Sequence, residues 1–306
     1  IPSVFPSGAI LPSVPNEEMV YENKIKDILT AAGLNEVYNY SFFDGALMTQ
    51  NLIELVNPIS QEQRYLRPSL LPNLLKNIRE NLKYFDEVRF FEIGKVYFES
   101  GNALEEQKMV AAALSCKSVS VKNSSLFYEV KGIMDLLLNK LGISDFWYDD
   151  QLKEQEIKCQ AAEILHNLRR AQIKIGDELI GWLGEIKKEV LEKLDIQATA
   201  AVFEIDFAKL VKLTQEERIY QPPSKYPAIV RDLAILADQT SKVEDVLNVI
   251  EIAGGPLVAD VDLFDIYEGE EIPENKKNLA FHIIYQSDER TLTNEEINKL
   301  QEKIIK

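Results

Sequence analysis

Two histidines and two cysteines are all the chain has of either type, and their positions bound the chemistry first. Neither His166 nor His282 has a cysteine or histidine at metal-ligand spacing. A zinc site or a Ser-His-Asp arrangement is therefore not expected, while a metal site built from carboxylates stays open. Cys116 and Cys159 set no disulfide framework, and each reads as a small buried hydrophobe in a reducing cytoplasm. Arg64 and Arg67 stand just before an apolar helix pattern, where they either contact a partner subunit or are solvated. Glu92 lies inside an apolar run, as a dead catalytic carboxylate or a paired one. Arg231 and Arg290 are candidates for phosphate contacts, with salt pairing to the many acids as the competing reading. Tyr267, at the end of a β-rich run, reads on its own as a half-buried core aromatic.

Charge restricts the partners. The 306 residues carry 34 Lys and Arg against 50 Asp and Glu, a net −16, the wrong sign for a protein that grips nucleic acid mainly by neutralising phosphates. No run of about 18 apolar residues suggests a membrane span. The opening IPSVFPSGAILPSVPNEE has no basic n-region, and its prolines forbid a continuous helix, so residues 1–15 are expected to be a linker from something upstream.

The elements that must position these residues follow from periodicity. Asn16 caps a helix with Glu17 and Glu18 in its first turn, Ile25, Ile28 and Leu29 on its apolar stripe, and Gly33 as a left-handed stop. Residues 37–43 read as a strand. Pro68 marks a helix start, and Leu71, Leu74, Leu75, Ile78 and Leu82 share one face of that helix. Residues 88–98 hold apolar side chains on both parities, as a strand buried on two sides, with 109–116 as an antiparallel neighbour. A helix over 126–141, a hairpin of 171–175 with 179–183, a short helix over 187–194 and a strand over 200–205 complete an α+β core at 16–214.

Pro222 and Pro223 place a linker at 215–226. Beyond it come a strand (228–237), a helix capped by Ser241, a strand (257–267) in which Val261, Leu263 and Phe264 alternate with acids, its partner strand (278–286) and a last helix opened by the capping box of Thr293 and Glu296. The order βαββα is a ferredoxin-like unit, residues 227–306, whose fourth strand is expected after Ile305 and is missing from the chain.

At this point the strings carry a resemblance. Arg231-Asp232-Leu233-Ala234, Phe264-Asp265-x-Tyr267-x-Gly269, Leu279-Ala280-Phe281 and Arg290-Thr291-Leu292-Thr293 resemble, in order and spacing over about 80 residues, the anticodon-binding domain that ends bacterial phenylalanyl-tRNA synthetase β subunits. Upstream, NPIS (57–60), LRPSLLPNLL (66–75), FFEIGKVY (90–97) and GDELIGWLGEI (176–186) resemble the inactive class II synthetase-like core of the same family, an antiparallel sheet with flanking helices. Lys187-Lys188 stand where that family has His-Pro, and His166-Asn167-Leu168 where it has His-Pro-Gly. The family's earlier domains, including the one that edits mischarged tRNA, are not in these residues.

The resemblance implies a non-catalytic β-subunit fragment of phenylalanine-tRNA ligase that docks a catalytic α subunit and recognises the tRNA(Phe) anticodon, in a cytoplasmic (αβ)2 heterotetramer. It implies no catalytic residue and no cofactor in this chain, with ATP and Mg²⁺ on the α subunit. It places guanine contacts at Ala234, Asp265, Tyr267 and Asn278, the last where the family has serine. Asp265 would accept from the Watson–Crick edge and Tyr267 would offer a stacking face. A working class II core needs a motif 2 arginine, for which Arg89 is the candidate, and a motif 3 arginine; the motif 3 region, 183–194, has none. Residues 224–306 hold 9 basic and 17 acidic side chains, a net −8, so the domain would select an anticodon delivered by basic surfaces elsewhere. Two alternatives remain: a single-chain, mitochondrial-type synthetase, and an acidic protein-interaction scaffold without an RNA role.

Overall fold

A computed structural model describes residues 15–48, 52–101, 103–117, 126–150, 161–214, 222–269, 272, 273 and 275–305. The expected N-terminal linker, Cys159 and most of the 215–226 linker lie outside the described residues. The chain divides into two compact units, Ile1–Arg218 and Ile219–Lys306.

The first unit is built on a seven-stranded sheet. Its strands are β1 (Asn35–Glu36), β5 (Glu87–Ser100), β6 (Ala103–Cys116), β7 (Phe146–Asp149), β8 (Leu165–Ile175), β9 (Glu178–Ile186) and β10 (Thr199–Asp206). They run in the order β1-β5-β6-β10-β9-β8-β7, with β1 parallel to β5 and every other pair antiparallel. The two-sided apolar pattern of β5 has the expected cause: Phe91 and Ile93 enter a core with α1 (Glu17–Ala31) and α3 (Leu126–Lys140), and Val88, Phe90 and Val96 enter another with α2 (Leu71–Asn81) and α5 (Lys188–Lys193). Strands β2 (Phe42–Phe43), β3 (Ile53–Glu54) and β4 (Tyr65–Leu66) form a small separate sheet ordered β2-β4-β3.

Several expectations are corrected here. Of the strand expected over 37–43 only β2 at its end forms; β1 stops before it at Glu36 and belongs to a different sheet, and Tyr38 and Tyr40 between the two point to solvent. It is Pro72, not Pro68, that occupies the first turn of α2, where a missing N–H costs nothing. Strand β6 begins six residues earlier than expected, β8 is also longer, and β7, α4 (Ala161–Ile164) and α6 (Phe207–Leu213) were not anticipated. Asn16 does cap α1, accepting from the Met19 N–H at 3.3 Å, and Gly33 adopts φ +88.

The second unit is a three-stranded antiparallel sheet, β11 (Ile229–Asp238), β13 (Lys276–Tyr285) and β12 (Val258–Tyr267) in that order, with α7 (Val243–Gly254) and α8 (Asn294–Ile305) on one face. Leu233, Ile235, Leu279, Phe281, Ile283 and Leu263 meet Ile250, Ile297 and Ile304 of the helices in one core. The capping box forms: Thr293 Oγ1 accepts from the Glu296 N–H at 3.4 Å, and Glu296 Oε2 accepts from the Thr293 N–H at 3.1 Å. Ser241 does not cap α7: the helix begins at Val243, which puts Lys242 at the cap position with no side-chain cap hydrogen bond.

Candidate nucleic-acid interface

Period-2 alternation sends the other half of each terminal strand to the face opposite α7 and α8, which no helix among the described residues of this unit covers. Register makes that face explicit. Ala234 pairs with Ala280, and Ala280 with Asp265, so these three form one row across the sheet. Leu236 pairs with Asn278, and Asn278 with Tyr267, to form the next row, about 7 Å along the strands. All four residues singled out for guanine contact thus share one open face in two adjacent rows. The two alanines make a low floor, walled by Asp265 and by Tyr267, which is 45% exposed rather than the core aromatic of the unaided reading.

Gly269 completes this wall. A methyl group there would overlap the Tyr267 hydroxyl, so the glycine of the FDxYxG string is what lets the tyrosine lie back over the turn.

A third row, Asp232–His282–Asp262, borders the floor on the other side. His282 Nδ1 lies 2.7 Å from Asp232 Oδ1. The polar groups that face solvent here are therefore mostly acceptors. A phosphate is repelled from such a face, whereas a base edge rich in N–H donors is matched by it, and guanine presents N1–H and N2–H₂ together.

A β-bulge between Leu263 and Asp265 leaves Phe264 as the extra residue, and its ring stacks on His282 on the open face. The bulge turns Asp265, which strict alternation from Leu263 would send to the helix side, onto the same face.

The two arginines do not join this face. Arg231 turns to the helix side, where its Nη2 donates to Asn294 Oδ1 at 2.7 Å, and Arg290 Nη1 pairs with Glu296 Oε2 at 2.9 Å. Arg290 and the capping hydrogen bonds of Thr293 together hold the Glu296 carboxyl down to about 2. Both arginines serve the start of α8; Arg290 does so as a salt pair with Glu296, whereas Arg231 donates to a neutral amide.

In the first unit, Arg64 is exposed and pairs with Glu54 at 2.7 Å. Arg67 is instead buried: Nη1 donates to Glu92 Oε1 at 2.7 Å and Nε to the Lys95 carbonyl at 2.9 Å. Its guanidinium is spent inside the chain, which corrects its reading as a surface contact, and Glu92 is accordingly a paired carboxylate. The Asn39 amide donates to the second Glu92 oxygen at 2.7 Å. Glu92, Ala111 and Glu204 form one row of the sheet beneath this pair. Burial pushes the Glu204 carboxyl up to about 7, against hydrogen bonds from the Leu70 N–H at 2.7 Å and the Ser69 hydroxyl at 2.9 Å. The segment before α2 thus fills this sheet face with internal polar pairing. Arg89, the motif 2 candidate, is held by Glu87 and Glu129. His166 Nδ1 accepts from the Leu168 and Arg169 N–H groups and so shapes its own loop. Among the described residues no three His, Cys, Asp or Glu side chains converge as a metal-ligand set, and no helix is long and apolar enough to cross a membrane.

Known proteins align with this division. The family model described as the phenylalanyl tRNA synthetase beta chain CLM domain matches residues 1–207, and the ferredoxin-fold anticodon binding domain matches residues 224–306. The phenylalanine–tRNA ligase beta subunit of Bacillus licheniformis is 34% identical over 92% of the chain, and that of Thermotoga maritima 31% over 94%. The Bacillus subtilis subunit is 32% identical across the whole chain. The chain spans only 36, 37 and 39% of the length of these relatives, respectively. A pyrrolysyl-tRNA synthetase structure from Desulfitobacterium hafniense shares the fold over 64% of this chain and 68% of its own, with TM-score 0.50 and 17% identity.

Proposed function

The chain belongs to the phenylalanyl-tRNA synthetase β-chain family, and on that premise we propose that its terminal sheet reads the anticodon guanine of tRNA(Phe) while its larger unit docks a catalytic α subunit. One observation carries the first half: Ala234, Asp265, Tyr267 and Asn278 come together on the face opposite α7 and α8, whose polar groups are mostly acceptors. Guanine would lie over the alanine floor, donate N1–H and N2–H₂ to Asp265 and stack against Tyr267. The net −8 of this region means that selection, not grip, is its contribution; phosphate contacts come from elsewhere in the assembly.

Docking of the α subunit is supported by large apolar side chains left open beside the small sheet. Tyr38 and Val56 are each 94% exposed and Ile59 is 92% exposed, with Arg64 adjoining them in sequence. The proposed assembly is a cytoplasmic (αβ)2 heterotetramer with ATP and Mg²⁺ bound on α. The internal commitments of Arg67 and Arg89 and the lack of an arginine in 183–194 support a non-catalytic role for this core.

The test is crosslinking in the full-length protein assembled with its α partner. tRNA(Phe) carrying 4-thiouridine beside the anticodon guanine is expected to label peptides of β11, β12 and β13. Labelling confined to other peptides would overturn the reading.

A further inference from the structure

Beside the floor that receives the guanine lies a second feature that the contacts above do not use. Phe264 stacks on His282 with ring centroids 3.9 Å apart and planes 14° apart. Phe264 remains 49% exposed. Leaving a phenyl ring half open forfeits burial worth about 1–2 kcal/mol, and the apolar core between this sheet and α7 and α8 lies on the opposite face. Alternation from the inward Leu263 turns residue 264 outward, and the bulge at 263–265 turns Asp265 to the same side, where it pairs with Ala280. The bulge therefore sets an aromatic ring and the guanine-reading carboxylate on the open face in consecutive positions.

The ring is also held in orientation. His282 backs one of its faces, and the imidazole is itself fixed by the Nδ1 contact to Asp232 at 2.7 Å. The charged groups around this stack are Asp232 on β11, Asp262 and Asp265 on β12 and none on the facing part of β13. These surroundings disfavour a phosphate or an acidic peptide and leave the π-face as the attractive element.

We propose that Phe264, backed by His282, is a stacking platform for the RNA base next to the guanine. The inference rests on the anticodon reading above and extends it by one nucleotide. On β13, the step from Ala280 to His282 is about 7 Å, so the platform stands one row from the guanine floor. An unstacked strand lays successive bases on successive side-chain platforms in this way, and stacking tolerates base identity because every base has a π-face. The guanine site selects; the platform adds affinity and holds the strand splayed.

The test uses the full-length protein assembled with its α partner and a tRNA(Phe) anticodon stem-loop carrying 2-aminopurine in place of the base 3′ to the guanine. Stacking quenches the probe. The wild-type protein is expected to quench it, Phe264→Leu to abolish the quenching and weaken binding roughly tenfold, and Phe264→Trp to retain both. His282→Ala, which leaves Phe264 in place without its backing ring, is expected to reduce quenching partly. Circular dichroism of each variant verifies folding, and if Phe264→Leu does not fold, the Phe264→Trp and His282→Ala pair decides. Unchanged quenching and affinity in Phe264→Leu and His282→Ala, while Asp265→Asn and replacement of guanine by inosine still weaken binding, would overturn the platform and leave the guanine reading standing. Indifference to Asp265→Asn and to inosine would remove the reading itself, and the platform with it.

Discussion

Replacing Glu204 by glutamine should make the first unit more stable at pH 8 and leave it nearly unchanged at pH 4. Glu204 is 1% exposed on β10, and burial pushes its carboxyl up to about 7 despite the Leu70 and Ser69 hydrogen bonds and nearby Arg67. The folded state therefore keeps a proton that the unfolded chain releases near its usual 4.5. The contribution of this group is whole below pH 4.5 and is lost as pH rises towards and through 7. Moving a carboxyl from 4.5 to about 7 corresponds to roughly 3 kcal/mol, at 1.36 kcal/mol per pH unit, which is an upper bound on the loss. Glutamine mimics the protonated form and has no charge to desolvate, so Glu204→Gln should escape the loss. Urea unfolding followed by tryptophan fluorescence isolates the effect, because both tryptophans, Trp147 and Trp182, belong to the first unit and Trp182 pairs with Glu204. With a urea slope of about 2–3 kcal/mol/M, the variant's midpoint should exceed wild type by up to about 1.5 M at pH 8. Equal pH slopes in the two proteins would refute the reasoning, and so would a variant weaker than wild type throughout pH 5–8. Either result would mean that the ionised carboxylate anchors Ser69 and Leu70.

Two further substitutions address the terminal face. Ala234→Leu raises the floor at an exposed position, so stem-loop affinity should fall about tenfold or more while thermal unfolding stays within about 0.5 kcal/mol of wild type; unaltered affinity would place the guanine elsewhere. Gly269→Ala forces Tyr267 from its seat, so calorimetry should show a comparable affinity loss and NMR a shift of the Tyr267 ring signals; an unmoved ring would contradict the packing described.

Much of this was legible in the sequence, for reasons that differ by element. The Asn16 cap, the apolar face of α2 and the Thr293–Glu296 capping box are local signals within one or two turns, and the structure contains each. Strand β5 was visible because burial on two sides writes itself into both parities. The features missed depend on partners distant in sequence. Residues 103–108 look like a charged loop because they pair with 95–100 outside either core. Arg67 looks like any surface arginine until Glu92, 25 residues away, is placed against it. Strict alternation from Leu263 would turn Asp265 inward, and the bulge that brings it to the open face has no composition of its own. The guanine-contact residues came from motif resemblance, and what the structure adds is their register into two neighbouring rows.

The central claim, that Asp265 reads the guanine edge from the open sheet face, is tested most directly by a double-mutant cycle. Binding of the assembled full-length protein to the anticodon stem-loop is measured for wild type and Asp265→Asn, each with guanine and with inosine, which lacks the N2 amino group. If Asp265 accepts from that group, each single change should weaken binding about tenfold or more, and the double change should cost little beyond either one, a coupling of about 1–2 kcal/mol. Fully additive losses would show that the carboxylate and the base edge do not meet, and would contradict the account.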